Sequence, residues 1–157
     1  MIIGNPYQIA IQMELIDVLC SPCGVFNFIV NDMFVPGKGV TIDLYVVISS
    51  LKGSLEEGLR LINNDIGDLS LDCLSFLDGT PENLIALNVA ELYDYGCNFW
   101  LGFDGDEERL IYTVDFENSY MESRFPRGTV ESLIRTLPLA ETLVIDKDNN
   151  MIITKPN

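Results

Sequence analysis

The chain of 157 residues carries 24 Asp and Glu against nine Lys and Arg, a net charge of −15 with no histidine, and 48% of it is apolar. That apolar fraction excludes disorder, and no run reaches the ~18 apolar residues of a membrane span. The acidity disfavours nucleic acid and anionic membranes as partners and would draw a basic protein in about 10–10³-fold faster, although solubility alone also accounts for an acidic surface.

The length fits one domain, residues 1–157. The opening "MIIGNPYQIAIQMEL" has neither a basic region nor a small-residue cleavage site, so no signal peptide is read there and a cytoplasmic location is expected. Tyr7, Ile9, Ile11, Met13 and Leu15 alternate with polar residues and predict a half-buried strand. A turn at Ser21-Pro22-Cys23-Gly24 leads into a second strand, Val25–Val35, stopped by Pro36-Gly37. Val40, Ile42, Leu44, Val46 and Ile48 share one face of a predicted third strand. Ser54 and Glu57 have the spacing of a capping box, and a helix is expected over Leu55–Asn64. Gly58 inside that helix costs about 1 kcal/mol against alanine, which suggests close packing of its backbone.

The acidic middle is harder to read. Thr80-Pro81 resembles a cap with proline at the first helical position, predicting a short helix at Pro81–Leu87, and "NVAELYDYG" predicts a further helical turn closed by Gly96. Alternation returns in Cys97–Phe103 and Leu110–Phe116, two strands expected to pair around Asp104-Gly105, a strong hairpin signal. "SYMESRF" predicts another strand. "TVESLIRTLP" predicts a helix with Val130, Leu133, Ile134 and Leu137 on one face, Thr129 as cap and Pro138 as stop. "LAETLVID" and "MIITK" form two closing strands. The whole reads as α+β, with a largely antiparallel sheet and two or three helices.

Between Leu61 and Glu108 there are 11 acids and no Lys or Arg. Four of the acids crowd into Asp104-Gly105-Asp106-Glu107-Glu108. An EF-hand needs acids at alternating positions between helices and a glutamate at the twelfth, which this stretch lacks. Asp104 could converge with Asp115 or Glu117 for acid–base work, but there is no histidine base and no Ser-x-x-Lys, Gly-x-Ser-x-Gly or phosphate-loop pattern. Catalysis is therefore not expected. Cys20 and Cys23 form a C-x-x-C, yet Cys73 and Cys97 lie too far apart to complete a zinc site, so the cysteines are read as reduced and structural. No cofactor or metal is expected.

Three stretches, "MIIGNPYQIAIQ", "LYDYGCNFWLGFDGDEERLIYT" and "RFPRGTVESLI", resemble the immunity 42 family of bacterial polymorphic-toxin and contact-dependent inhibition systems. The likeness spans about Met1 to Leu137, and the central block is its most specific part. It implies a protein that binds the C-terminal toxin domain of a cognate effector and blocks its active site or a required surface. It carries over no catalytic residues and does not locate the binding surface. Many such toxins are nucleases, basic because they bind phosphates. On charge and aromatic character, Tyr93, Tyr95 and Trp100 are the candidate anchors, with Asp104, Asp106, Glu107 and Glu108 as a charged rim. Homo-oligomerisation stays open. The alternative is an acidic module that binds a small molecule or peptide without catalysis.

Overall fold

The structure, a computed structural model, describes residues 1–17, 22–37, 39–146, 148–149 and 151–154. Cys20 and Ser21 lie outside that set, so the C-x-x-C reading is open at its first half. Two antiparallel hairpin sheets clasp a shared core, closed by two helices.

The first sheet starts with β1 (Ile2–Asn5) and β2 (Ile9–Asp17), a hairpin in which Ile2 pairs with Gln12 and Asn5 with Ile9. Ile9, Ile11 and Met13 point into the core as their alternation predicts. Tyr7 does not continue that face: it sits in the hairpin turn and is 93% exposed. β3 (Cys23–Val30) pairs along β2, so Cys23 and Gly24 are strand residues and not a turn. The expected Val25–Val35 strand is folded in two. Asn31 and Asp32 both adopt positive φ (51° and 58°), as a two-residue hairpin turn requires and as these two side chains tolerate. The chain returns as β4 (Met33–Val35).

The largest departure follows. Only β5 (Ile42–Asp43) is extended, and α1 then runs unbroken from Leu44 to Leu61. The Asp43 carboxylate accepts the Val46 amide at 3.1 Å and starts the helix. Leu44, Val47, Ile48, Leu51 and Leu55 form its buried stripe, a helical spacing that also contains every second residue of a strand pattern. The β-branched run at Val46–Ile48 favours strand by propensity, and burial of that stripe overrides it. Ser54 is consequently no cap. Its hydroxyl donates to the Leu51 carbonyl and accepts the Asn88 amide at 2.8 Å.

The second sheet has the order β6 (Ile85–Leu87), β7 (Asn98–Asp104), β8 (Glu107–Thr113), β9 (Met121–Pro126). The helix expected at Pro81–Leu87 is thus a turn followed by an edge strand, in which Ile85 and Leu87 face the core and Ala86 faces out. The β7–β8 pairing is as predicted, with Trp100 opposite Ile111 and Asp104 opposite Glu107, but β8 begins at Glu107 and ends at Thr113, so Val114, Asp115 and Phe116 fall outside the expected strand. Between β6 and β7 the Ala90–Tyr95 segment is a 3₁₀ helix, closed by Gly96 at φ 86°. α2 (Thr129–Thr136) buries Val130, Leu133 and Ile134. β10 (Leu143–Asp146) and β11 (Met151–Thr154) form the closing hairpin.

The sheets meet through Phe28 of β3 and Phe99 of β7, whose ring centroids are 4.3 Å apart. Phe99, Leu101 and Phe103 face this main core. The opposite face of the second sheet carries Trp100 and Ile111, covered by Ile66, Leu74, Phe76 and Leu84 from the acidic segment. That segment is therefore a lid over the back of the sheet.

Gly58 confirms its sequence signal. A Cβ there would lie 2.2 Å from Cγ2 of the buried Ile85. Gly58→Ala gains about 1 kcal/mol of helix propensity but forces an overpacked contact worth about 1–3 kcal/mol. Urea unfolding is expected to show a net loss of up to about 2 kcal/mol, whereas a stabilised variant would mean that α1 and β6 are not so closely apposed.

Candidate functional site

The acidic hairpin answers first to the protein itself. β9 runs beside β8 and brings Arg124 to it, where the guanidinium bonds Asp104 at 2.9 Å, Glu107 at 3.0 Å and Glu122 at 2.9 Å. These carboxylates hold Arg124 above the usual arginine range, Glu107 and Asp104 most strongly. Arg127 bonds Asp65 at 3.0 Å and the Gly105 carbonyl at 2.7 Å, with its guanidinium 4.4 Å from the Phe103 ring centroid. The Arg127 hydrogen bond holds the Asp65 carboxyl below its ordinary value. Arg109, 1% exposed, donates to both oxygens of Glu122 and to the Gly67 carbonyl. Three acids of a stretch without one base in sequence, Asp65, Asp104 and Glu107, are thus offset in space by arginines that follow it.

Two of the expected contact residues are removed by burial. Glu108 is 0% exposed; its carboxylate accepts the Val130 amide at 2.6 Å and the Glu131 amide at 3.4 Å. It takes the place of Thr129 as cap of α2, where a negative charge also suits the helix dipole. Thr129 instead donates its hydroxyl to the Pro126 carbonyl. Burial pushes the Glu108 carboxyl above its ordinary value despite those amides. Trp100 is 4% exposed, tilted against Phe76 and Tyr120 on the back of the sheet, so its large apolar surface is spent on the core. Tyr95 is half-buried against the main core. Asp104 and Glu107 engage Arg124, and Asp106 projects from the turn into solvent.

Tyr93 remains, 59% exposed, and it does not stand alone. With Gly96, Asn98, Phe116 and Glu117 it lines a cleft of about 170 Å³. Phe116 is 66% exposed, and both Phe116 and Glu117 have positive φ, 58° and 62°. A bulky residue in that region is strained by about 1–3 kcal/mol, and the surroundings hold it there. The Phe116 amide donates to the Gly96 carbonyl at 3.2 Å, and the Glu117 amide donates to the Thr113 hydroxyl at 3.1 Å. Asp115 accepts the Ser119 amide and hydroxyl at 3.0 and 2.6 Å, and these bonds hold its carboxyl below the ordinary range. A Cβ on Gly96 would lie 3.0 Å from the Phe116 ring, so only glycine lets the ring rest there without displacement.

Glu117 also borders a second cavity formed with Asp72, Phe76, Leu77 and Tyr120, and Leu77 is almost fully exposed. Its two oxygens accept the Asn98 amide group at 2.8 Å and the Tyr120 hydroxyl at 3.3 Å. The Tyr120 ring is stacked 4.2 Å from Phe76. Burial, followed by the Glu117 charge, pushes the Tyr120 phenol above its ordinary value. In the sequence Phe116 reads as the end of the expected Leu110–Phe116 strand, whereas the strand stops at Thr113 and Phe116 sits at positive φ in the turn that follows. Among the described residues no group of three or more Cys, Asp or Glu is placed to hold a metal, and no helix is long and apolar enough to cross a membrane.

The solved structure of CdiI from Burkholderia dolosa AUO158 has the same fold, with a TM-score of 0.62 at 19% identity over 86% of this chain and 96% of that one. No curated protein matches the chain. The model of the family described as Immunity protein 42 matches residues 1–139, which include both sheets, both helices and the Tyr93–Phe116 cleft. The chain belongs to the immunity protein 42 family.

Proposed function

We propose that this protein binds and neutralises the C-terminal toxin domain of a cognate effector, in the cytoplasm and without catalysis of its own. The observation that carries the reading is the family match over residues 1–139. The surface supports it. The face around Tyr93, Phe116 and Leu77 presents exposed apolar side chains among Asp72, Asp78, Asp94 and Glu117, and no Lys or Arg pairs with these acids among the described residues. Buried aromatics with a charged surround are the usual anatomy of a tight protein interface. A toxin domain with a basic, nuclease-like surface is the complementary partner, inhibited by covering its active site or a surface it needs. Of the anchors chosen from sequence, Tyr93 keeps that role and Phe116 joins it. Asp106 contributes steering charge at the hairpin tip, and Asp104 and Glu107 contribute less because Arg124 already offsets them.

The test is rescue. An immunity gene of this kind lies directly downstream of the variable end of a large secreted protein, so the toxin domain encoded there is the one to express. Co-expression of this chain is expected to restore growth of cells producing that domain, and continued growth arrest with both proteins present in soluble form would refute the proposal.

A further inference from the structure

We propose that the Tyr93–Phe116 cleft receives an arginine side chain of the toxin domain, with Glu117 as its counter-ion. The inference rests on the toxin-binding reading and specifies which chemistry the partner must bring. Four observations converge on it. The Glu117 carboxylate is oriented by two neutral donors, Asn98 and Tyr120, which aim its oxygens without cancelling its charge. By contrast Asp65, Asp104, Glu107 and Glu122 are each met by an arginine of this chain. The cleft walls include two exposed aromatic rings, Tyr93 and Phe116, and Phe116 is held at positive φ with its amide on the Gly96 carbonyl and its ring close to Gly96. The volume, about 170 Å³, suits the end of one side chain and falls below the roughly 300–1,000 Å³ of small-molecule sites.

A planar guanidinium meets both demands of this cleft at once. It lies against aromatic faces and forks two N–H bonds onto a carboxylate. A lysine ammonium would supply charge without the flat stacking surface. Charge complementarity sets the partner's sign, since Asp94 and Asp115 flank the two rings in sequence and add negative potential.

Two measurements decide the matter. In the first, N-acetyl-arginine amide is titrated into the isotopically labelled full chain at constant ionic strength. Chemical-shift changes are expected to centre on the amides of Tyr93, Gly96, Asn98, Phe116 and Glu117, to vanish in E117Q, and to be absent with the uncharged citrulline analogue. Scattered shifts, or equal shifts with citrulline or in E117Q, would overturn the assignment. In the second, affinity for the toxin domain encoded upstream is compared across variants. E117Q is expected to weaken binding about 30-fold or more, as loss of one partner from a desolvated ion pair does. F116N should weaken it by at least about tenfold, as loss of an aromatic anchor does, while melting no lower than wild type because asparagine accepts positive φ. Unchanged affinity in both variants overturns the inference, and so does an F116N chain that melts well below wild type, which would make Phe116 a structural residue. If the wild-type chain fails to bind that domain, the toxin-binding reading falls, and the arginine titration still decides the cleft.

Discussion

Arg109→Ala is expected to destabilise the protein by about 3–5 kcal/mol, enough to leave little margin in a domain of ordinary stability. Arg109 donates Nε and Nη2 to the two Glu122 oxygens at 2.8 Å each, and Nη1 to the Gly67 carbonyl at 2.7 Å. The first pair ties β8 to β9, and the last ties the sheet to the acidic lid. Removing the guanidinium strips the Gly67 carbonyl of this partner and leaves Glu122 with Arg124 alone. The retained Arg124 contact places the expected value toward the lower end of the range. Burial raises the Glu122 pKa, but the Arg109 and Arg124 bonds outweigh it and the net position is below the ordinary 4.5. A depressed folded pKa contributes stability above pH 4.5 that is lost as pH falls through the folded value. Urea unfolding from pH 7 down to pH 3 should therefore show the gap between wild type and R109A narrowing with acidification. A gap that stays constant would mean that Arg109 acts by packing alone.

Glu108→Ala is expected to cost about 2–4 kcal/mol, combining a lost helix cap, unsatisfied amides and a small cavity. The carboxylate ties β8 to the start of α2, across 22 residues of sequence. Its pH dependence has the opposite sign to that of Glu122. Burial holds the folded pKa above the ordinary 4.5, so the linked stability is complete below that pH and declines as pH climbs through the folded value. E108A should thus be furthest below wild type in acid and closer to it at neutrality. The same unfolding series reads both effects, and a gap that widens toward neutral pH would contradict the burial argument.

These two residues also show where sequence reading stops. β7, β9 and α2 were legible because period two and period 3.6 are unambiguous there and turn residues separate them. β8 and β10 were found, but β8 is shifted to Glu107–Thr113 and the expected Leu139–Asp146 strand begins as a 3₁₀ turn at Ala140–Thr142. α1 was misread at its start because Leu44 and Ile48 share a face in a strand as well as in a helix, and only the burial of Val47 and Leu51, with Val46 left exposed, decides between them. β6 was misread because Thr80-Pro81 has the form of a cap, while the edge of β7 recruits Ile85–Leu87. The acidic stretch misled in another way. Asp65 and Arg127 are 62 residues apart, and no local pattern reports that the sheet brings them together. Counting charge along the chain therefore overstated what the hairpin can offer a partner. Tyr93, chosen from composition and context, lies exposed in the cleft, and the exposed position of Phe116 beside it needed the fold.

The most direct test of the central claim is amide hydrogen exchange on this protein alone and in complex with the toxin domain encoded upstream. Protection is expected over Ala90–Asn98 and Asp115–Tyr120, the two segments that build the cleft, in a one-to-one complex of nanomolar affinity, on the order of 10⁻⁹ M. Absence of a complex, or protection confined to the β1–β2 and β10–β11 hairpins with the cleft unchanged, would contradict it.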